Sequence, residues 1–215
     1  MNRLHLNRYV ARTILLLAAL VLIVTASYAA YLYNRPVALA DEPILQTYLY
    51  GELSGTAVHK GVDFSAGVDF GDSVYAIAPG TVTDIAETKP DNCHPWYDPR
   101  DPRYCTDFGN YVLIQHDTRH YDRVSRQMAY VYSLYLHLRQ NQVFVIEGQH
   151  VNAGTLIAQA DNTGNSYGHH LHLQIVLHPQ PNREIEPVNT LESETRSRNP
   201  ELWLTPYNGT TGTVV

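Results

Sequence analysis

The chain has 215 residues, a formal net charge of −6 and 44% hydrophobic residues. All 21 acidic residues lie after Arg35, together with 11 of the 15 basic residues. This acidic part of the chain argues against a nucleic-acid partner and against broad electrostatic attraction to anionic polymers or lipid surfaces.

The N-terminus divides into a basic tail and an apolar run. Residues 1–12 carry three arginines and no acidic residue, and residues 13–33 are 21 positions without a charge. A helix of about 20 apolar residues spans a bilayer, and basic residues before it predict a cytoplasmic N-terminus. We therefore predict a single-pass anchor over 13–33. The triplet 27–29 (Ser-Tyr-Ala) also fits a signal cleavage site, which leaves a secreted protein as the alternative. Both place the remainder outside the cytoplasmic membrane.

The rest of the chain is predicted to form one all-β domain. Residues 34–50 are interpreted as a linker, 51–190 as the domain and 191–215 as a C-terminal extension. About 140 residues suffice for a single core. Short β-branched or aromatic runs are separated by Gly, Pro and Asn, as is typical of strands joined by turns. They cover residues 74–78, 80–85, 111–115, 128–136 and 142–146.

A proline-rich loop over 87–108 carries the only two cysteines, Cys93 and Cys105. In an exported protein this pair predicts a disulfide, which would stabilise the fold by about 3 kcal/mol through loop closure. A second metal site at Cys93, His94 and Cys105 is the alternative, although a fourth ligand is not evident. The aromatic residues of the loop would line a substrate groove or form a small core of the loop itself.

Residues 170–175 alternate polar and apolar side chains. As a strand, this segment directs His170, His172 and Gln174 to one face and three aliphatic residues to the other. Two imidazoles on one strand face are a platform for a metal ion or for proton transfer, and the same pattern also occurs on solvated faces. The preceding residues 163–168 are predicted to form a turn that leads into the strand.

A second motif supplies a carboxylate. His59 and Asp63 are four residues apart, which places them on one face of an extended segment, and Gly61 between them permits close approach of the backbone. His59, Asp63 and His172 are three suitable zinc ligands, and three protein ligands with an open position are typical of a catalytic site. His137 and His170 would remain for acid–base work.

Three separated motifs carry a resemblance to a known family. They are His59-x-x-x-Asp63, Tyr135-x-His137-Leu138 and His170-x-His172. Together they resemble the lysostaphin/LytM-type zinc metallopeptidases of the M23 family. The similarity runs in order through roughly residues 51–178, including 71–82, 109–116 and 147–157.

The resemblance implies a largely antiparallel sheet with a metal at the floor of a groove. It implies His59, Asp63 and His172 as zinc ligands, His137 and His170 as catalytic residues, and the peptide part of bacterial peptidoglycan as substrate. Gln174 departs from the family, in which glutamate is frequent there. Some relatives are inactive scaffolds that activate other cell-wall hydrolases. Loss of ligands marks those relatives, whereas all five matched positions are present here. Oligomeric state is not predicted.

Overall fold

The computed structural model describes residues 33–37, 46–54, 57–64, 70–105, 108–182 and 196–204. Within these ranges, no helix is both long enough and apolar enough to cross a membrane. The predicted basic tail and anchor lie outside the described residues, apart from Tyr33. Of the predicted C-terminal extension, the structure describes 196–204.

The described residues form twelve strands and one short 3-10 helix. In chain order the strands are β1 (Gln46–Tyr48), β2 (Leu53–Ser54), β3 (Ala57–Val58), β4 (Val62–Phe64), β5 (Ser73–Tyr75), β6 (Gly80–Ala86), β7 (Asn110–Asp122), β8 (Gln127–Val143), β9 (His150–Val151), β10 (Leu156–Ala160), β11 (Leu171–His178) and β12 (Ser197–Arg198), and the helix is Pro200–Leu202. The predicted all-β class is confirmed.

One antiparallel sheet organises the domain. Its main path runs β1-β4-β11-β8-β7-β6-β9, while β10 pairs with β5 and β8, and β12 pairs with β11. A separate hairpin joins β2 to β3. Because β4 and β8 flank β11, residues from three distant parts of the sequence meet at the centre of the sheet.

The longest strands, β7 and β8, form a hairpin. The pair Asp122 and Gln127 closes it, and Arg126 in the turn adopts a left-handed φ of 57°. Residues 123–126 form the turn between the two strands. Residues 142–146 do not form the separate strand that the sequence predicts. Residues 142–143 are the end of β8, and 144–146 lie outside any strand. Strand β8 continues through His137 without a turn. The two short apolar runs in the sequence do not reveal that one strand joins them.

The apolar face of β11 packs into the main core. Leu171, Leu173 and Ile175 are each fully buried there, as the alternating pattern predicts. Gln174 on the opposite side of the strand is also fully buried, with its amide donating to Ser197 Oγ at 2.7 Å. Both faces of this strand are thus covered, and its position is fixed from both sides.

Segments assigned to the linker and the C-terminal extension contribute to the same sheet. Within 34–50, Val37 is buried in the core and forms a bridge with Val74, and β1 pairs with β4. Tyr33 and Leu204 are buried and form a parallel bridge with each other. Strand β12 pairs with β11. The sequence patterns of the longer strands do not reveal that these short segments pair with them.

Candidate metal centre and its histidines

Strand register brings His172 and Asp63 together. The two residues are directly opposite each other in the antiparallel pair of β11 and β4. Gly61 lies just before β4, and a Cβ atom at this position would overlap His172 Nε2 and the carbonyl oxygen of Leu173. Only a residue without a side chain leaves room for the imidazole ring here. The close backbone approach predicted at Gly61 is therefore present, with His172 as the group that approaches.

Three ligand-type atoms converge at this point. His172 Nδ1 lies 2.8 Å from Asp63 Oδ1 and 3.0 Å from His59 Nε2, and His59 Nε2 lies 3.2 Å from Asp63 Oδ1. His59 follows β3, where the main chain of the hairpin holds it through bonds to Glu52 and Gly51. The sequence-predicted ligand set is therefore assembled from a hairpin end, β4 and β11.

The carbonyl of Leu49 orients the His59 ring. It accepts a hydrogen bond from His59 Nδ1 at 3.1 Å. With the proton on Nδ1, the lone pair of Nε2 faces the other two ligand atoms. A metal-ligating histidine usually donates its second ring N–H in this way, and the bond selects its tautomer. Leu49 lies within the predicted linker, so sequence reasoning did not connect it to the site.

The carboxylate of Asp63 is held in its charged form. Burial by itself would raise its pKa, but hydrogen bonds with His172 and His59 outweigh burial and hold the pKa well below its usual range. Burial lowers the pKa of His59, and the neighbouring Asp63 more than reverses this effect, so that the pKa is raised. A cluster with one fixed negative charge and imidazole nitrogens facing it attracts a cation.

His137 reaches the site through a bulge in β8. Leu138 and Leu136 pair with Asn110 and Tyr111 respectively, so His137 is the extra residue, and its φ is 62°. A bulge of this kind re-aims one side chain out of the regular alternation of a strand. The His137 ring centroid lies 4.6 Å from that of His170 and 6.1 Å from that of His172.

The turn over 163–168 fixes the tautomers of both remaining histidines. His137 Nδ1 donates to Thr163 O at 2.7 Å, and His170 Nδ1 donates to Gly168 O at 2.8 Å. Each ring therefore keeps Nε2 as its acceptor atom. His170 Nε2 lies 3.7 Å from Asp63 Oδ2, which places it beside the ligand set.

Electrostatics favour neutral rings at both positions. Burial, followed by the charges of His170 and His172, depresses the pKa of His137 well below its ordinary value. Burial also lowers the pKa of His170, and Asp63 offsets this only in part. Both rings are therefore neutral near neutral pH with a lone pair on Nε2, which is the form in which a general base begins a reaction.

The turn is itself anchored to the sheet. Thr163 Oγ1 accepts a hydrogen bond from the Asn110 N–H at 3.0 Å and donates to Leu138 O at 2.8 Å. The main chain of Asp161 bonds to both histidines. Its N–H donates to His137 O at 3.0 Å, and its carbonyl accepts a hydrogen bond from His170 N at 3.2 Å. These bonds hold the two histidines on neighbouring segments. The sequence signalled the turn, but not which atoms it would contact.

Two residues adjacent to these motifs, Tyr135 and His169, make their contacts elsewhere. Tyr135 is a fully buried core residue, and its hydroxyl accepts bonds from Ile77 N at 3.0 Å and Ser133 Oγ at 3.1 Å. The bulge separates Tyr135 from His137, although the regular spacing predicts a shared face. His169 Nδ1 lies 3.2 Å from Asp161 Oδ1, and its ring packs against Phe70 with a centroid distance of 5.6 Å.

Cys93 and Cys105 form a disulfide with a Cα separation of 5.5 Å. Both sulfurs are therefore unavailable as ligands, which excludes the alternative of a second metal site at this loop. The Trp96 ring stacks between two other rings. Its centroid lies 4.0 Å from that of His94 and 5.2 Å from that of the exposed Tyr167. The loop thus packs against the turn that carries Tyr167 rather than only against itself.

Comparisons with known proteins identify the family of this chain. A family model described as Peptidase family M23 matches residues 57–187, more than half of the chain. The peptidoglycan DD-endopeptidase ShyA of Vibrio cholerae is 30% identical over 125 residues, which are 58% of this chain and 22% of that protein. ShyB, a peptidoglycan DD-endopeptidase of the same organism, is 29% identical over 123 residues, 57% of this chain and 21% of that protein. The match thus spans about a fifth of the length of these curated relatives.

Solved structures show the same fold. The catalytic domain of lysostaphin, an antimicrobial peptidase from Staphylococcus simulans, has a TM-score of 0.50 at 20% identity and covers 76% of this chain and 93% of that one. A mutant catalytic domain of the prophage-encoded M23 protein EnpA from Enterococcus faecalis has a TM-score of 0.50 at 18% identity, covering 84% and 99%. These structures agree in fold, and the family match over more than half of the chain shows that it belongs to the M23 peptidase family.

Proposed function

We propose that the protein is a zinc-dependent endopeptidase that hydrolyses peptide cross-links or stems of bacterial peptidoglycan outside the cytoplasmic membrane. One observation carries the proposal. His59 Nε2, Asp63 Oδ1 and His172 Nδ1 meet beside two histidines whose tautomers are fixed by the same turn. The three atoms supply a cation site, and the two further rings supply acid–base groups next to it.

The donor set fits zinc. Two imidazole nitrogens and one carboxylate oxygen are common zinc ligands, and they lie 2.8–3.2 Å from one another. Tetrahedral ligands held about 2.0–2.2 Å from a shared ion lie about 3.3–3.6 Å apart, so the three side chains would have to separate by only a few tenths of an ångström to hold zinc. The hydrogen bond between His59 and the Leu49 carbonyl adds the outer contact that such ligands need. Three protein ligands leave an open position for a substrate or water.

The chain's own residues would divide the proton transfers. Bound zinc would lower the pKa of a water molecule and polarise the scissile carbonyl. Of His137 and His170, one ring accepts the water proton at Nε2. The other, once protonated at Nε2, hydrogen bonds to the developing oxyanion or protonates the leaving amine. Because Nδ1 of each ring donates to a backbone carbonyl, neither ring has to change tautomer to begin the reaction.

Substrate and location rest on separate observations. The relatives ShyA and ShyB are both peptidoglycan DD-endopeptidases, which supports a cell-wall peptide as substrate. The uncharged run over 13–33 follows three arginines, which favours a membrane anchor with the peptidase domain outside. The disulfide supports the same location, because disulfides persist in oxidising compartments.

The proposal is tested with the purified full-length chain in detergent. The zinc content is measured, and the protein is incubated with intact peptidoglycan sacculi before the soluble products are analysed by mass spectrometry. We expect one zinc per chain and new amine and carboxyl ends at one type of peptide bond. A chelator should stop the release, and added zinc should restore it. A zinc-bound chain that cleaves no peptide bond in several wall types would instead favour the scaffold alternative.

A further inference from the structure

The disulfide-bonded loop contacts the turn that fixes both non-ligand histidines. Gly164, which directly follows Thr163, is held from two sides by this loop. Its N–H donates to Cys93 O at 2.9 Å, and its carbonyl accepts a hydrogen bond from His94 Nδ1 at 3.2 Å. Because Thr163 O is the acceptor for His137, a shift of Gly164 would move that acceptor as well.

A second set of contacts leads from His94 to His170. The unprotonated Nε2 of His94 lies 3.4 Å from Asn162 Nδ2, and Asn162 Oδ1 accepts a hydrogen bond from Ser166 Oγ at 2.5 Å. Ser166 Oγ lies 3.1 Å from His170 Nδ1. His94 therefore contacts the same turn at two positions, and each position is connected to one of the two histidines.

The loop holds His94 firmly. The His94 side chain is buried, and burial lowers its pKa, which keeps the ring neutral as these contacts require. The main-chain N–H of His94 donates to Arg103 O at 2.8 Å, and the His94 carbonyl accepts a hydrogen bond from Cys105 N at 3.3 Å. The adjacent disulfide closes the loop around it, and the Trp96 ring covers one face of the imidazole.

We propose that His94 and the Cys93–Cys105 disulfide position His137 and His170 for catalysis, through the turn over 163–168 and the adjoining Asn162. The inference rests on the proposed function for its catalytic meaning, while the positioning itself is a structural claim. Neither element contacts the ligand set directly. Their loss should therefore lower the turnover number and leave zinc bound.

Two substitutions separate hydrogen bonding from packing at His94. His94→Phe keeps a ring against Trp96 but removes both polar contacts, whereas His94→Asn keeps a donor near the position of Nδ1. We expect His94→Phe to lower kcat by about 10- to 100-fold, because small misplacements of catalytic groups have effects of this size. KM should change by less than about threefold, and zinc content should not change. His94→Asn should recover part of the loss.

Arg100→Ala is the matched control within the loop. The Arg100 side chain is almost fully exposed and lies 3.9 Å from the exposed Asp98 carboxylate, so its removal should leave kcat at the wild-type value. The paired change Cys93→Ser with Cys105→Ser should reproduce the behaviour of His94→Phe. Thermal unfolding of each variant, followed by circular dichroism, establishes that the assays use folded protein.

NMR spectroscopy measures how firmly the rings of His137 and His170 are held, independently of enzymatic turnover. In the zinc-loaded wild type, nitrogen-15 NMR should show the Nδ1-bound protons of His137 and His170 as slowly exchanging signals. In His94→Phe these signals should broaden or exchange rapidly, and in Arg100→Ala they should persist. Unchanged histidine signals in folded His94→Phe would overturn the inference, as would a kcat within twofold of wild type. If the wild type cleaves nothing but the histidine signals change in His94→Phe as expected, the proposed function is overturned and the positioning role stands.

Discussion

At the scale of single residues, the absence of a side chain at Gly61 determines where His172 can lie. The imidazole occupies the space that a Cβ atom of Gly61 would need, and the Leu173 carbonyl borders the same space. Since β4 and β11 are paired at this point, the main chain of His172 is held opposite Asp63, and the space left by Gly61 lets the ring lie against this carboxylate. A residue with no functional group thus controls the geometry of the candidate site.

Replacing Gly61 with alanine should weaken zinc binding. The new methyl group would displace the His172 ring from Asp63 and His59, and we expect at least a tenfold rise in the zinc Kd, measured by competition with a fluorescent chelator. Gly148→Ala is the control, because a Cβ atom at Gly148, unlike one at Gly61, would meet no neighbour within 4 Å, although Gly148 has a left-handed φ of 79°. That variant should lose about 1 kcal/mol of stability and keep its zinc affinity. Equal zinc affinities in both variants would refute the packing argument.

Replacing His172 with alanine should remove the metal. Only two ligand-type side chains would remain, and we expect less than a tenth of the wild-type zinc content by atomic emission after dialysis. His150→Ala is the matched histidine control, since His150 is exposed and pairs with Asp117 at 2.9 Å, away from the ligand set. Stoichiometric zinc in His172→Ala would exclude His172 as a ligand.

Replacing His137 or His170 with alanine should separate binding from chemistry. Neither ring belongs to the ligand set, so zinc should remain bound. Loss of an acid–base group typically lowers the rate by about 100- to 10,000-fold, and we expect kcat to fall by at least 100-fold in each variant. A variant with zinc bound and wild-type turnover would dismiss the catalytic role of that histidine.

The residues themselves were predictable where chemistry and local pattern agree. The alternation around His172 predicts its strand, and the spacing of His59 and Asp63 predicts that they share a face. The Leu49 carbonyl was not predictable, because any residue type supplies a carbonyl and only the fold brings this one to His59. The same holds for the Thr163 and Gly168 carbonyls that select the tautomers of the other two histidines.

At the scale of elements, the bulge in β8 is the feature that the sequence pattern hides. His137 takes a φ of 62°, which few non-glycine residues adopt. Regular alternation would place it on the same side as Tyr135, a core residue. The bulge instead releases it toward the ligand set, and the turn over 163–168 holds it there. Such strain persists at sites where the surrounding contacts fix the conformation.

The tip of the β7–β8 hairpin should make stability depend on pH. Burial of Asp122 would raise its pKa, but bonds from Arg198, at 2.6 Å, and Ser125 outweigh burial and lower the pKa to about 2. Since the folded pKa lies below the unfolded value of about 4, the charged carboxylate stabilises the fold above about pH 4. This contribution, about 2 kcal/mol, is lost as the pH falls toward 2.

Urea unfolding at pH 5 and pH 3 measures this contribution. Asp122→Asn should lower the free energy of unfolding at pH 5 and flatten its decline between the two values. Asp98→Asn, at an exposed carboxylate in the disulfide loop, should follow the wild-type curve. An Asp122→Asn curve that runs parallel to wild type would show that this ion pair does not stabilise the folded state.

At the scale of the whole molecule, the candidate site forms because one sheet gathers segments that are far apart in sequence. The β2–β3 hairpin, β4, β8 and β11 each contribute at least one side chain, and the loop over 87–108 supports the turn behind them. The all-β class could be predicted from the sequence, and the five predicted site residues lie near one another in the fold. The pairing of β1 with β4 could not, because residues 46–48 lack a pattern that distinguishes an edge strand from a linker.

The most direct test of the central claim is a crystal structure of the full-length chain with zinc, with anomalous diffraction recorded on both sides of the zinc absorption edge. We predict one anomalous peak that contacts His59 Nε2, an Asp63 carboxylate oxygen and His172 Nδ1. His137 and His170 should lie beside it, with neither bound to the ion. A peak held by other residues, or no peak at this cluster in protein that cleaves peptidoglycan, would contradict the account.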